Sequence, residues 1–221
     1  MSAELDYRTA RLRHAGSVCP ARENRRVNDG LRAVCETDSA VSVPAPSVLV
    51  LSNGTRVSVR QLGADDRAGF VTLFQRLSPE SRLRRFLSPK RELAPRELTF
   101  LTDVDHCQHE AIAAVDERDG SIVGTARYVR DADRANVAEV AIEVVDELQR
   151  MCIGTALAGL MIQRARANGV TLLTARTLWD NRAARALLRQ HGFRAVERDG
   201  GEIAYELVLE PLTPRAVDWA C

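Results

Sequence analysis

Lysine is nearly missing from this 221-residue sequence: Lys90 stands alone, and arginine carries almost all the positive charge. That skew speaks of genomic base composition more than of function. Excess charge of either sign is also missing. The net charge is +1, which gives no global reason to expect nucleic acid or an anionic membrane as a partner. No apolar run approaches the roughly 20 residues needed to cross a bilayer. The opening stretch MSAELDYRTARLRHAG has no apolar centre of a signal peptide. The five cysteines are odd in number and scattered, with no CxxC pair. Reduced thiols in a cytosol follow as the simplest expectation, and with them a cytoplasmic location. Neither a Walker loop nor a GxGxxG fingerprint occurs. The stretch His106-Cys107-Gln108-His109 gathers three potential ligands with no partner pair after it, so no metal is expected.

What is present is an ordinary globular composition, 45% hydrophobic and 28% charged. Residues 1–46 are mixed in charge and close on SAVSVPAPS, and they read as a disordered N-terminal tail. Residues 47–210 read as one domain, and 211–221 as a C-terminal tail. Asn53-Gly54 joins two strand-like runs as a hairpin. Phe70, Leu73, Phe74 and Leu77 recur at helical spacing, and two short helices follow, broken at Pro79, Pro89 and Pro95. HEAIAAVDERDGSIVGTARYVRD reads as two strands around Asp119-Gly120. NVAEVAIEVV is a third, with Val140, Ile142 and Val144 on one face and Glu139, Ala141 and Glu143 on the other. A helix follows and ends at Asn168-Gly169. Then come the strand VTLLTARTL, the helix DNRAARALLRQ capped by Asp180 or Asn181, and a hairpin around Gly200-Gly201. The order is that of a mixed α/β domain.

The chemistry should lie in the strand-loop-helix unit from Glu139 to Arg164. Amides at a helix start are unpaired and carry roughly half a positive charge. They can hold a pyrophosphate, and glycine helps where the backbone must come close. Gln149 and Arg150 stand at the mouth of the loop; Gly154 and Thr155 stand in the first turn. Spacing alone favours a plain helix start.

The unit Gln149-Arg150-Met151-Cys152-Ile153-Gly154 resembles motif A of the GNAT superfamily of N-acetyltransferases, Q/R-x-x-G-x-G/A, with Cys152 in place of a glycine. Asn181 to Phe193, NRAARALLRQHGF, is similar to the family's N-x-x-A…G-F segment. RLSPESRLRRFLSP, LTDVD, AEVAIEVVDELQ and LLRQHGF resemble the acetyltransferase domain of bacterial Pat-type protein lysine acetyltransferases. The resemblance implies a GNAT fold: a mixed sheet of about six or seven strands flanked by helices, with a V-shaped splay between its two central parallel strands. It implies acetyl-CoA as co-substrate, no metal, and an acceptor that is a protein lysine or a small amine. The backbone of Ile142, Glu143 and Val144 would hold the pantetheine, and donors near Val144 would stabilise the oxyanion. The loop residues Gln149, Arg150, Met151, Cys152, Ile153, Gly154 and Thr155 would hold the pyrophosphate. Asn181 would bond the cofactor chain or simply cap its helix. Glu139 matches the base of the Pat-type pattern, with Glu143 as competitor. The tyrosine that many relatives use as general acid falls at Leu187 or Leu188 here, so no acid is named. A small-amine acetyltransferase and an acyl-CoA-binding module without turnover stand as alternatives. Monomer and dimer are equally compatible with the sequence.

Overall fold

The computed structural model describes residues 47–210, and the expectations for 1–46 and 211–221 lie outside the described residues. The elements in chain order are β1 (Ser47–Val50), β2 (Arg56–Gln61), α1 (Arg67–Arg76), α2 (Pro79–Phe86), α3 (Pro95–Thr102), β3 (His109–Asp116), β4 (Ile122–Arg130) and β5 (Val137–Val144). They continue with α4 (Ile153–Ala167), β6 (Leu172–Leu178), α5 (Arg182–Gln190), β7 (Arg194–Asp199) and β8 (Glu202–Val208). Short 3₁₀ turns precede α1 and join β5 to the loop before α4.

The strands form one sheet in the order β1-β2-β3-β4-β5-β6-β8-β7. That is eight strands where six or seven were expected, the Asn53-Gly54 hairpin adding β1 at the edge. Every pairing is antiparallel except β5 with β6. β3 and β4, at the centre, are buried along nearly their whole length. Helix α4 packs on one face against β3, β4 and β5. Its buried stripe Ile153, Leu157, Met161 and Ile162 follows helical spacing. On the other face α1 packs on β4 and α2 on β5 and β6.

Local signals end the helices where the sequence places them. Pro79 and Pro95 stand in the first turns of α2 and α3, where a missing N–H costs nothing. α5 closes on Gly192 at φ +87°. The Phe193 amide bonds back to the Leu188 carbonyl and the Gly192 amide to that of Arg189, a Schellman motif. Gly124 lets β4 approach β5: a Cβ there would lie 3.0 Å from the Glu143 carbonyl oxygen, which is backbone and cannot move aside.

Candidate active site

The parallel pair is short. Val137 pairs with Leu172, Ala138 with Leu173 and Glu139 with Thr174, and there the ladder stops. β5 runs on to Val144, paired only with β4, so the strands part beyond Glu139. This is the V-shaped splay. Its β5 side, from Val140 to Val144, has an edge without a strand partner, where backbone groups are open to a ligand. One of these groups is already taken: the Gln149 side-chain amide donates to the Val144 carbonyl at 3.1 Å. Gln149, though exposed, is thus tied to the end of β5. Ile142 and Val144 are half-buried and pack against the core.

The loop after β5 has a glycine-like backbone without the glycines. Arg150 has φ +61° and Cys152 φ +66°, both left-handed, with Met151 between them. Amides in such an alternation converge into a concavity that favours an anion. The first bond of α4 runs from the Ala156 amide to the Cys152 carbonyl. The amides of Ile153, Gly154 and Thr155 therefore have no partner inside the helix. Cys152, the N-cap, gives no side-chain cap, and its thiol is free and exposed. Gly154 faces Leu187 of α5: a Cβ there would lie 3.8 Å from Leu187 Cδ2. Leu188 instead packs into the core. Of the two positions left open for a tyrosine, Leu187 is the one beside the loop. Asn181 is buried, and its Oδ1 accepts from the Ala184 amide at 3.1 Å, which is the capping role.

A left-handed Cβ costs about 1–2 kcal/mol, of which the chain entropy of glycine takes back roughly half. Cys152→Gly is therefore expected to raise stability by about 0.5–1 kcal/mol. It should also tighten acetyl-CoA binding about threefold, as the backbone comes nearer the phosphates. Calorimetric titration checks the second effect, and an unchanged or weaker affinity would acquit the cysteine.

The two candidate bases share a sheet face but not a fate. Glu139 is exposed at the fork, between Val129 of β4 and Thr174 of β6. Glu143 is buried. It accepts from Arg85 Nε and Thr125 Oγ1, and Arg127 Nη2 lies 3.8 Å away. Burial pushes its carboxyl up, but the Arg85 and Arg127 charges and the Thr125 hydroxyl outweigh this and hold it below the usual carboxylate range. An ionised carboxylate already claimed by two guanidinium groups has no lone pair aimed at an acceptor.

The arginine run of α2, Arg82, Arg84 and Arg85, divides. Arg84 pairs with Glu80 at 2.5 Å on the surface. Arg82 stacks over Phe74, 4.4 Å from the ring centre, and donates to three carbonyls. Arg85 goes to Glu143. The His106–His109 stretch is likewise occupied. His106 Nδ1 is 3.0 Å from Glu110, and His109 Nε2 is 3.3 Å from Arg127 Nη1. Among the described residues no group of three His, Cys, Asp or Glu side chains could hold a metal.

Burial and the Arg127 charge push His109 down to about 3, so it is neutral in the fold. An unfolded chain takes up a proton there below pH 6.5 and the folded chain does not. Stability should thus fall by about 1.4 kcal/mol per pH unit as pH drops from 6.5 to 5. Urea unfolding at each pH should show a shallower slope in His109→Gln. Parallel slopes would assign the loss to another group.

An open strand edge leads from an exposed carboxylate to a helix start whose first amides have no partner inside the helix. Residues 72–193, more than half of the chain, match the Acetyltransferase (GNAT) family. The chain belongs to that family. Among its relatives, the acetyltransferase Pat of Mycolicibacterium smegmatis is 35% identical over 138 residues, which are 61% of this chain and 40% of that one. The chain therefore spans less than half the length of that relative. The acetyltransferase PA5475 of Pseudomonas aeruginosa is 32% identical over 145 residues, 65% of this chain and 77% of that one. In structure the GNAT domain of Streptomyces lividans PAT superposes with a TM-score of 0.70 at 26% identity, over 76% of this chain and 99% of that domain. The cAMP-binding acyltransferase of Mycobacterium smegmatis superposes at 0.52, with 27% identity, over 75% of this chain and 48% of its own. These findings bear out the GNAT fold and the Pat-type resemblance.

Proposed function

We propose that the chain moves an acetyl group from acetyl-CoA to an amine, with a protein lysine side chain as acceptor. The observation that carries this reading is the position of Glu139. It is the last residue of β5 that pairs with β6, exposed where the strands part. The free edge of β5 would bond the pantetheine, and the amides from Arg150 to Thr155 would hold the pyrophosphate. The thioester would then lie in the splay, past Glu139.

A lysine amine, with a pKa near 10.4, is mostly protonated at neutral pH. Glu139, directly or through water, would take that proton. The amine nitrogen then attacks the thioester carbon, and backbone donors near Val144 would stabilise the oxyanion. Collapse breaks the C–S bond, and the nitrogen gives up its second proton to solvent as the neutral amide forms. CoA leaves as a thiolate, which needs no acid from Leu187 and takes its proton from solvent.

Release of free CoA thiol from acetyl-CoA, with protein and small-amine acceptors, tests the reading, together with mass spectrometry of lysates treated with and without the enzyme. New acetyl-lysines support it. Turnover on small amines alone moves the acceptor class. Acetyl-CoA binding without thiol release on any amine makes the chain a binding module, the reading that the leucine at 187 favours. Self-modification hardly clouds the assay. The single lysine, Lys90, is held 2.5 Å from Glu97.

A further inference from the structure

Helix α2 spans the splay, packing on both β5 and β6. Its apolar hold on the domain is Phe86, which packs on the core and edge-on against Phe74. The rest is polar, and these ties come from the segment that carries the cofactor strand into the loop. At the start of α2 the Ser78 amide and hydroxyl donate to Asp146 at 2.8 and 2.9 Å, and Ser81 Oγ donates to the same carboxylate at 2.7 Å. Gln149 Nε2, which holds the Val144 carbonyl, also reaches Ser81 Oγ at 3.2 Å. Near the end of α2, Arg85 donates to Glu143, with the two side chains only 6% and 3% exposed. Asp146 and Gln149 thus grip one end of the helix and Glu143 the other.

We infer that Arg85 is a positioning residue: its bond to Glu143 pins α2 across the splay as the acceptor-side wall, so that the amine meets Glu139 and the thioester in line. This rests on the acetyl-transfer reading above. Arg85 touches neither substrate. Its part is to tie the wall to the strand that holds the cofactor. Loosening it should cost acceptor binding, while the strand edge and the loop that take acetyl-CoA stay as they are.

The test is Arg85→Met in the full chain, a side chain of similar reach without the charge. The acceptor KM should rise about tenfold. The acetyl-CoA Kd, by calorimetry, should stay within about threefold of the wild type, and Arg85→Lys should recover part of the loss. A purely structural role would lower the melting temperature and leave the acceptor KM unmoved, and that result overturns the inference. If the Met variant does not fold, Asp146→Asn loosens the exposed tie at the other end. The same rise in acceptor KM is then required, and its absence is equally fatal. A wild-type chain that releases no CoA with any amine sinks the acetyl-transfer reading and this inference with it. A wild type that turns over beside variants that match it sinks the inference alone.

Discussion

Glu139→Gln lowers kcat by about 10²- to 10⁴-fold and leaves acetyl-CoA binding intact. On the proposed reading, the size follows from a lysine acceptor. At pH 7 about one lysine amine in 2,500 is free to attack. A positioned carboxylate removes the proton inside the complex, and an amide of the same shape cannot. Glu139 has the right setting for this task. It stands at the fork, exposed, on the face where α2 bounds the splay. Cofactor affinity should be spared, because the phosphate loop and the open strand edge lie further along the chain. Raising the pH should partly rescue the variant, since a larger share of amine is then free without help. Single-turnover rates on a lysine peptide across pH check both statements. A variant with wild-type turnover at neutral pH would take Glu139 out of the mechanism.

Much of the fold was legible because its signals are local. The hairpin glycines Gly54, Gly120 and Gly200 all have positive φ, where the turn dipeptides placed them. The prolines open α2 and α3, and Asn181 caps α5. Alternation along NVAEVAIEVV correctly put Glu139 and Glu143 on one face. It could not say what lies over that face. Glu143 is covered because α2, nearly 60 positions earlier in the chain, brings Arg85 down on it, and Glu139 is left open because that cover ends. Long-range packing of this kind has no periodicity to read. The arginine run is hidden for the same reason: two members of a charge triplet on a short helix take partners from β5 and α1. The loop was half legible. Its missing glycines looked like a defect, yet Arg150 and Cys152 adopt the left-handed backbone that glycine would supply.

Glu143→Gln is expected to cost about 3–5 kcal/mol of folding stability, the other large effect. In a domain whose whole margin is about 5–15 kcal/mol, that takes much of what there is. The reason is not the lost attraction alone. The neutral amide keeps the shape of Glu143 but leaves Arg85 and Arg127 charged in a site where their side chains are 6% and 2% exposed. A buried cation that loses this carboxylate loses the attraction that offset part of its desolvation. Removing one of the two cations as well should return part of the loss, so Glu143→Gln with Arg85→Met is expected to be more stable than Glu143→Gln alone. Urea unfolding of the wild type, the single variants and the double variant gives that coupling directly. The pH dependence supplies a second reading with a fixed sign. The folded-state pKa of Glu143 lies below its unfolded value, so its contribution is present above the carboxylate range and is lost as pH falls through the folded pKa. The stability gap between wild type and Glu143→Gln should therefore hold at pH 7 and 6 and close in acid, as the wild-type carboxyl finally takes its proton. A gap that stays constant into acid would mean that something other than this charge is at work.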